Sequence, residues 1–426
     1  MQSLHQAAAN GDTATVRRIM NIPNPPINQP DMDGFTPLHL SLIYKHEDIA
    51  EIILPHPLLD INMVDRNRNT ALHHSIYNQQ FNIAKKISLH PRSDINIQNI
   101  NGETPIMLAI LAGNVQFLRD FSNNPKINPN FVSNEGDTIL HYAVRSGSID
   151  IFNYIDQRFN PGKNSRNKNG FSPLNYAQIY GFEDIINKFP LSLIQEKDLN
   201  GNTILHYAAI GGNLEYFKKM LQKYYSKFND LNNNKENCFQ VSIRFIQPRI
   251  ALYIMNSQTV NYNQQDNDGN NIVQKALISN NYEIFHCLIN KCTFNDTKNK
   301  FGDDSLLVAV KSRCSKQIVQ ELMMHKTFNA NVFDNDGNNS VMICCMNGDK
   351  ELFDVITQHM NHNYRSANKQ GNTALHLGVL SGNIELVKRI LYKSSDKPGK
   401  NKDGFTPLEL ALTDEMKNLL RTHNIR

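Results

Sequence analysis

The chain has 426 residues, of which 40% are hydrophobic and 20% are charged, and its formal net charge is +4. This composition is typical of a folded chain rather than a disordered one. The small net charge and the lack of any long basic run argue against binding to nucleic acid. No apolar stretch approaches the roughly 18 residues that a membrane span requires, so we expect no membrane insertion. The N-terminus does not have the layout of a signal peptide, which predicts a cytoplasmic protein without excluding the nucleus.

Residues 1–30 predict a short opening unit of two helices. Leu4, Ala7 and Ala8 have the spacing of a buried helix face, and Val16 begins the inner face of a second helix. The two arginines that follow Val16 fall outside this face, as expected where the end of a repeat array meets water. We interpret this segment as an N-terminal capping unit.

A segment centred on Asp33-Gly34-Phe35-Thr36-Pro37 then recurs along nearly the whole chain. The place of Gly34 returns every 31 to 35 residues, and ten of its twelve occupants are glycine. A period this steady is the signature of a stacked repeat array. The twelve occupants are Gly34, Arg68, Gly102, Gly136, Gly170, Gly201, Lys235, Gly269, Gly302, Gly337, Gly371 and Gly404.

Each copy carries a predicted helix start two residues after the glycine place. Side chains of Ser, Thr, Asp and Asn accept a hydrogen bond from a free backbone N–H at a helix N-terminus, and one of these residues stands there in every copy. Four copies place proline next, where its missing N–H has no cost. The predicted N-caps are Thr36, Thr70, Thr104, Thr138, Ser172, Thr203, Asn237, Asn271, Asp304, Asn339, Thr373 and Thr406.

Asparagine stands six residues before the glycine place in eight of the twelve copies. Because asparagine tolerates the left-handed backbone region, we interpret these residues as turn formers of the connecting loops. They are Asn28, Asn62, Asn96, Asn130, Asn164, Asn229, Asn263 and Asn331.

The repeat pattern is weakest around residues 229–262. Lys235 replaces glycine there, and Asn237-Cys238-Phe239-Gln240 keeps only the N-cap. Since the period holds on both sides, we predict a degenerate repeat rather than an inserted domain. Internal repeats are thus expected over residues 31–400 and a C-terminal capping unit over residues 401–426, in one domain that fills the chain.

The repeated segment resembles the ankyrin repeat, whose signature is Thr-Pro-Leu-His-x-Ala with a period of about 33 residues. The tetratricopeptide repeat has a similar period but a recurring tryptophan, and this chain has none. The resemblance implies an all-α fold: a curved ankyrin solenoid of about thirteen helix-turn-helix units with β-turn fingers. The agreement is greatest at the pairs Thr36 and His39, Thr70 and His73, Thr138 and His141, Thr203 and His206, and Thr373 and His376.

The recurrent histidines invite a catalytic interpretation, but an active site needs one asymmetric set of residues, and these are equivalent. The resemblance implies that each threonine–histidine pair is structural and ties a turn to the neighbouring helix start by hydrogen bonds. The sequence has no phosphate-binding loop motif and no Cys, His or carboxylate cluster with metal-ligand spacing. We therefore expect no enzymatic activity, no catalytic residue, no metal and no cofactor.

The function is then expected on the protein surface. The resemblance implies that a partner protein binds the fingers and the exposed side of the first helices, which form a concave face. Aromatic residues and arginine are weighted most, because they dominate binding energies at interfaces. Padding of the turn is an equal alternative for the phenylalanines. The predicted partner-binding residues are Phe35, Tyr44, Tyr77, Arg145, Phe171, Ile179, Tyr180, Lys311, Arg313 and Met346.

The sequence thus predicts a non-enzymatic scaffold or adaptor that captures a partner protein in a rigid groove with little ordering cost. One alternative is the recognition domain of a larger signalling protein, such as a GTPase regulator, a kinase or a component of the ubiquitin system. An alternative of another class is an enzyme whose site is grafted on the groove.

Overall fold

The chain forms two compact units, Met1–Leu199 and Asn200–Arg426, which we call unit 1 and unit 2. Helices are the regular structure of the described residues, where extended pairing is limited to one isolated bridge between Val64 and Thr70. The computed structural model describes residues 3–291, 296–325, 331–359, 363–394 and 397–425.

Unit 1 is a stack of helix pairs. The first helix of each pair packs on the first helices of its neighbours, and the second helices pack on one another in another layer. The helices are α1 (Leu4–Asn10), α2 (Thr13–Met20), α3 (Pro37–Ile43), α4 (Glu47–Ile53), α5 (Ala71–Tyr77), α6 (Phe81–Leu89), α7 (Pro105–Leu111), α8 (Val115–Ser122), α9 (Ile139–Arg145), α10 (Ile149–Phe159), α11 (Pro173–Tyr180), α12 (Glu183–Ile186) and α13 (Leu191–Gln195).

Unit 2 repeats the same two-layer packing, with a single 3₁₀ turn at Tyr225–Lys227 among its described residues. Its helices are α14 (Ile204–Gly211), α15 (Leu214–Lys223), α16 (Cys238–Arg244), α17 (Pro248–Ser257), α18 (Ile272–Ser279), α19 (Tyr282–Lys291), α20 (Ser305–Lys311), α21 (Lys316–His325), α22 (Ser340–Asn347), α23 (Lys350–His359), α24 (Ala374–Leu380), α25 (Ile384–Lys393), α26 (Pro407–Leu410) and α27 (Asp414–Thr422).

Apolar side chains fill the space between the two layers of each repeat. Leu72 and Ile76 of α5 and Ile83 and Ile87 of α6 are fully buried, at helical spacing along each element. Because every repeat buries a few apolar residues against its neighbours, the hydrophobic core of each unit is elongated along the stack. The turns that precede the first helices, and the ends of those helices, are left facing solvent.

Most first helices begin with a reciprocal pair of hydrogen bonds at the predicted N-cap. The Thr70 side chain accepts from the His73 N–H, and the His73 ring accepts from the Thr70 N–H at 3.1 Å. Asn237 and Gln240 form the same capping box in the degenerate repeat. Each box satisfies backbone N–H groups that have no partner inside the helix.

Thr104 is an exception, and the prediction that its side chain caps a helix is wrong. Its side chain makes no capping bond, and its Oγ1 atom is buried without a partner among the described residues. The third residue of that helix is Met107, which offers the Thr104 N–H no acceptor comparable to a histidine nitrogen. The reciprocal bond therefore cannot form.

The turn between consecutive pairs, which we call a finger, depends on one residue with positive φ. A Cβ atom at Gly102, where φ is 74°, would lie 2.6 Å from the backbone nitrogen of Asn134 in the next finger. Arg68 and Lys235 adopt φ of 60° and 57° in the same place, at a conformational cost that glycine avoids.

One backbone hydrogen bond joins successive fingers within each unit. In unit 1 the Ile100 N–H donates to the Asn67 carbonyl at 2.8 Å, and in unit 2 the Asn267 N–H donates to the Asn234 carbonyl at 3.0 Å. Main-chain atoms therefore hold the fingers in register, in addition to the packing of the helices.

The asparagines six residues before the finger glycines do not act as left-handed turn residues, and that interpretation is wrong. Among the backbone angles that the structure describes, none of these asparagines has a positive φ. Instead, Asn62 Nδ2 donates to the Arg92 carbonyl at 2.8 Å, and Asn62 Oδ1 accepts from the Asp94 N–H at 2.8 Å. Asn28 and Asn96 make the equivalent two bonds, so Asn28, Asn62 and Asn96 form an asparagine ladder between neighbouring loops.

In two regions the structure differs from what the regularity of the sequence pattern suggests. Between Gly170 and Gly201 the second helix is the four-residue α12, and the short helix α13 follows, which the sequence pattern did not predict. Pro190 precedes α13 and has no N–H with which to continue the preceding turn. Around residues 229–262, in contrast, α16 and α17 form an ordinary helix pair.

Candidate functional site

The ten residues predicted to bind a partner are divided between the two units. Unit 2 holds Lys311, Arg313 and Met346, at or just after the ends of first helices. Unit 1 holds Phe35, Tyr44, Tyr77, Arg145, Phe171, Ile179 and Tyr180.

Exposed tyrosines end several first helices of unit 1. Tyr44, Tyr77 and Tyr180 are 56%, 53% and 47% exposed. Tyr77 Oη lies 3.5 Å from Glu103 Oε2, and Tyr142 Oη donates to Glu103 Oε1 at 3.0 Å. Partial burial and the nearby Glu103 carboxylate raise the pKa of Tyr77, so its phenol is neutral at physiological pH. One carboxylate thus orients tyrosines from two different repeats.

Arg145 is held by two neighbours on the same side of unit 1. Its guanidinium lies 3.3 Å from Asp137 Oδ2, and its Cζ atom lies 5.2 Å from the centre of the Tyr142 ring. Asp137 Oδ1 accepts from Asn167 Nδ2 at 2.8 Å, which fixes the carboxylate as well. The Arg145 side chain remains 36% exposed. It is therefore oriented before a partner arrives, and the planar guanidinium can still contact that partner.

Tyr180 belongs to a run of aromatic rings. Its ring centroid lies 6.3 Å from that of Tyr176 and 5.4 Å from that of Phe182, with both pairs stacked. Phe171 lies 5.8 Å from Tyr176, whose hydroxyl accepts from Asn167 Nδ2 at 3.1 Å. Burial and the Asp137 charge raise the pKa of Tyr176. Asn167 thus links the aromatic run to the Arg145–Asp137 pair.

Sequence reasoning named the exposed members of this surface but missed the tyrosines that support them. Tyr142 and Tyr176 both stand four residues after an N-cap, a place that Tyr207 also occupies. That recurrence was the signal available in the sequence. We call the combined set the tyrosine–arginine surface: Tyr77, Tyr142, Arg145, Tyr176 and Tyr180.

The remaining predicted residues of unit 1 are less open to a partner. The half-buried Phe35 ring lies 5.9 Å from the His74 ring and 6.4 Å from the His39 ring. Ile179 and Phe171 are also only partly exposed. For Phe35 these contacts favour the alternative in which the ring pads its finger.

In unit 2 the predicted cation Lys311 is already paired. Its Nζ atom lies 2.6 Å from Asp303 Oδ1 and 2.9 Å from Asp334 Oδ2. Burial alone lowers the pKa of Lys311, but the bonds to the two carboxylates outweigh it, and the pKa is raised. Lys311 therefore joins two neighbouring fingers. Met346 is 45% exposed, and Arg313 is exposed with φ of 52°.

A buried ion network in unit 2 was not predicted from the sequence. Lys275 Nζ lies 2.6 Å from Glu236 Oε1 and 2.7 Å from Asp266 Oδ2. Arg244 lies 3.0 Å from Glu236 Oε2 and completes the network. Glu236 and Arg244 come from one repeat and Asp266 and Lys275 from the next, so no single repeat reveals the network.

The five threonine–histidine pairs make the hydrogen bonds of a structural group. His73 Nδ1 lies 2.8 Å from Thr70 Oγ1, and His73 Nε2 lies 3.2 Å from the Glu103 carbonyl oxygen in the next finger. Burial lowers the pKa of His39 and of His73 to about 4, so both rings are neutral at physiological pH. The same side-chain pairing occurs in Thr36 and His39, Thr138 and His141, Thr203 and His206, and Thr373 and His376.

In the part of the chain that the structure describes, no three His, Cys, Asp or Glu side chains are grouped so as to hold a metal ion. Within the same ranges, no helix has both the length and the apolar character needed to cross a membrane.

Stacked helix pairs, positive-φ fingers and threonine–histidine capping boxes together define an ankyrin-type stack. The family profile for ankyrin repeats in three copies matches residues 4–99, 86–158, 157–235, 273–366, 306–401 and 341–424. These spans cover most of the sequence, and the chain belongs to the ankyrin repeat family. Such repeats are generally modules of protein interaction rather than catalysts.

Curated relatives match a small part of the chain. The Notch-regulated ankyrin repeat-containing protein B of Danio rerio is 38% identical over 64 residues, which is 15% of this chain and 58% of the relative. The corresponding Xenopus laevis protein is 35% identical over 68 residues, which is 15% of this chain and 60% of the relative. The chain thus spans less than two thirds of the length of these relatives.

Among solved structures, the ankyrin repeat domain of Bcl-3, described as a unique member of the IkappaB protein family, aligns with a TM-score of 0.44. The two are 21% identical, and the alignment covers 52% of this chain and 99% of the Bcl-3 domain.

Proposed function

We propose that the protein is a non-enzymatic scaffold or adaptor and that a partner protein binds the tyrosine–arginine surface of unit 1. The observation that carries the proposal is the state of Arg145 and Tyr180. Both side chains are partly exposed, and both are fixed by neighbours before any partner is present. Tyrosine and arginine are the residues that most often dominate binding at protein interfaces.

Preorganisation explains how such a surface binds. Ordering a long or aromatic side chain at an interface costs about 0.5–1.5 kcal/mol. Arg145 has met part of this cost through Asp137 and Tyr142, and Tyr180 through its stacked neighbours. A partner can offer a hydrogen-bond acceptor to Arg145 and an apolar side chain to Tyr180. Because these two side chains are already ordered, binding then costs less conformational entropy than it would with mobile side chains.

A role in signalling is the second element of the proposal. The curated relatives are described as Notch-regulated ankyrin repeat-containing proteins, which places those proteins in a signalling context. We propose that this chain likewise serves a signalling assembly in the cytoplasm, as an adaptor or as the recognition part of a larger protein. Its net charge of +4 favours a protein partner over a nucleic acid.

The experiment compares three forms of the full chain as bait in extracts of the source cell. The first is the wild type, and the second carries Tyr77→Ala, Arg145→Ala and Tyr180→Ala. The third is a matched control, Tyr392→Ala, which removes a highly exposed tyrosine of the second helix α25. Captured proteins are identified by mass spectrometry, and their affinities are then measured with purified components.

We expect a partner that binds the wild type and the Tyr392→Ala control equally and the triple variant at least about tenfold more weakly. Circular dichroism should show the same helix content in all three forms. Equal binding of every captured protein to the wild type and the triple variant would place the site elsewhere on the surface.

A further inference from the structure

A recurrent ion pair links the finger to the end of the first helix in three of the twelve repeats. An acidic residue stands directly after the glycine place, and a lysine or arginine eight residues later is the last residue of the first helix. The acids are almost fully buried, and the cations remain partly exposed. The pairs are Arg145 and Asp137 at 3.3 Å, Arg244 and Glu236 at 3.0 Å, and Lys311 and Asp303 at 2.6 Å.

Glu103 is the fourth acid in that place, and its repeat lacks the cation. The first helix, α7, ends at Leu111, which is 37% exposed. Within the described part of unit 1, no lysine or arginine forms an ion pair with the Glu103 carboxylate. In the eight repeats without an acid after the glycine place, the residue eight positions later is never a lysine or an arginine. Acid and cation therefore occur together in every repeat that has either, except that of Glu103, where the acid is present alone.

Neutral donors hold the Glu103 carboxylate among the described residues. Tyr142 Oη donates to Oε1 at 3.0 Å, and Asn99 Nδ2 donates to Oε2 at 3.1 Å. Tyr77 Oη and Asn101 Nδ2 make longer contacts to Oε2, at 3.5 and 3.4 Å. These donors orient the carboxylate without neutralising its charge. Since Oε1 accepts one bond from these residues, it can accept another from a cation.

Glu103 is also more open to solvent than the three paired acids. It is partly exposed, and the ring of Tyr77 beside it is more than half exposed. An aromatic ring attracts a cation that lies within about 6 Å of its centre. Arg145 of the next repeat is paired with Asp137, so it does not neutralise Glu103. A cation that approaches from solvent can therefore contact a carboxylate and an aromatic ring together.

We propose that the partner protein inserts a basic side chain, lysine or arginine, beside Tyr77 and that this side chain forms an ion pair with Glu103. It supplies the cation that three other repeats carry on their own first helices. This inference rests on the proposed function, because it specifies the chemistry of the partner that binds the tyrosine–arginine surface. Since α7 and α9 pack on each other, and packed helices lie about 8–10 Å apart, the partner's acceptor for Arg145 should lie at about that distance from its basic group.

The variant Leu111→Arg supplies the missing cation within the chain and tests whether a cation can reach the carboxylate. It is made alone and together with Glu103→Gln, which removes the charge but keeps an oxygen that accepts from Tyr142. We expect Leu111→Arg to lower the unfolding temperature less in the presence of Glu103 than in the Glu103→Gln background, because only the carboxylate forms an ion pair. Equal effects in the two backgrounds would overturn the proposal, since no cation at this place would then reach Glu103.

Binding is tested with short random peptides displayed on phage and selected on the full wild-type chain. The selected peptides are synthesised, and their affinities for the wild type, Glu103→Gln and Leu111→Arg are measured by fluorescence polarisation. Leu380→Arg is the matched control, because Leu380 ends the first helix α24 in the same place and Asn372 stands where an acid would be needed. Circular dichroism checks that all variants keep their helix content.

We expect peptides that contain lysine or arginine and bind the wild type and Leu380→Arg equally. They should bind Glu103→Gln and Leu111→Arg at least about tenfold more weakly, and replacing their basic residue by alanine should remove this difference. The inference fails, with the proposed function intact, if peptides lost in the triple variant of Tyr77, Arg145 and Tyr180 bind Leu111→Arg as they bind the wild type, or contain no basic residue. If no selected peptide distinguishes the triple variant from the wild type, both fail.

Discussion

The Gln274 side-chain nitrogen donates to the Asp303 carbonyl at 3.2 Å, so glutamine makes the same contact between repeats that His73 makes to Glu103. Gln274 also accepts from the Asn271 N–H at 2.9 Å, as the histidine ring accepts from its threonine. The chain therefore contains its own uncharged substitute for the ankyrin histidine. The two residues differ in one physical respect, since only histidine can be protonated near neutral pH.

Replacement of His73 by glutamine should preserve the fold at pH 7.5 and weaken the acid sensitivity of unit 1. Burial lowers the pKa of His73 from 6.5 to about 4, so the unfolded chain takes up a proton between these values and the folded chain does not. Stability is therefore full above about pH 6.5 and falls as the pH drops towards 4, by up to about 3 kcal/mol for this residue. Urea titrations at pH 7.5 and 5 measure the difference.

The variant His73→Gln is expected to lose less stability between these two pH values than the wild type. His74, Asp65 and Glu103, which face the His73 ring, are unchanged in the variant and act as an internal reference. His423→Gln, at an exposed position of unit 2, serves as the control. Identical pH profiles for the wild type and His73→Gln would contradict the role given to burial.

Removal of a ladder asparagine should weaken the connection between neighbouring loops. The variant Asn62→Ala loses a donor to Arg92 and an acceptor for Asp94, and we expect it to lower the free energy of unfolding by about 1–2 kcal/mol. Asn130→Ala is the matched control, because Asn130 holds the same place two repeats later and makes no such side-chain bridge among the described residues. A loss in the control as large as in Asn62→Ala would argue against the ladder.

Replacement of Ile246 by glycine should stabilise unit 2. Ile246 has φ of 53°, although it is β-branched, and it stands where other repeats carry Gly113, Gly147 or Gly212. Relief of about 1–2 kcal/mol of backbone strain exceeds the roughly 0.5–1 kcal/mol of chain entropy that glycine costs. We expect a gain of about 0.5–1 kcal/mol, measured by thermal unfolding.

The reciprocal variant for that experiment is Gly113→Ile. A Cβ atom at Gly113 meets nothing within 4 Å, and φ there is 77°. Any loss of stability in this variant therefore reports the backbone conformation rather than a collision. A neutral effect of Gly113→Ile together with a loss in Ile246→Gly would show that the Ile246 side chain, not its φ, decides the stability of the turn.

Removal of Lys275 should be the most damaging of these changes. The variant Lys275→Met leaves Glu236 and Asp266 close together and buried without their shared cation, and breaking such a pair costs about 3–5 kcal/mol. Burial raises the pKa of Asp266, but the bond to Lys275 more than offsets this, and the pKa is lowered in the folded wild type.

The stability that Asp266 contributes to the folded state is therefore present above the pKa that this residue has in the unfolded chain. It is lost as the pH falls through the lower pKa of Asp266 in the folded protein. Because Lys275→Met has already lost it, the stability difference between wild type and variant should shrink below about pH 4. Denaturant titrations at pH 7 and 3.5 test this. Lys388→Met, which breaks an exposed pair, should cause no measurable loss at either pH.

Features that depend on residues close together in the sequence could be predicted, and features that depend on contacts between repeats could not. The N-cap at Thr70 and the turn at Gly34 are settled by a few adjacent residues, so one copy of the repeat predicts them. Thr104 shows the limit of that logic, since it stands in the N-cap place and its side chain makes no capping bond. The short helix α13 follows Pro190 in the copy whose interval is shortened to 31 residues, and the pattern common to the other copies does not contain it.

The candidate sites depend on residues about one repeat apart, which no local pattern contains. Glu103 joins Tyr77 to Tyr142, and Asn167 joins Asp137 to Tyr176, only after the repeats have stacked. These links can be recognised only when neighbouring repeats are aligned with one another, because the sequence of a single repeat does not contain both partners.

The single main-chain bond from Ile100 to Asn67, and its equivalents at other fingers, has a consequence for how such proteins lengthen during evolution. Each copy donates one backbone N–H to the copy before it and offers one carbonyl to the copy after it, so a duplicated or deleted copy leaves one donor and one acceptor to pair at the new junction. Genes of this kind can therefore gain or lose whole repeats without a compensating mutation, provided the new neighbours keep the positive-φ turn of the finger.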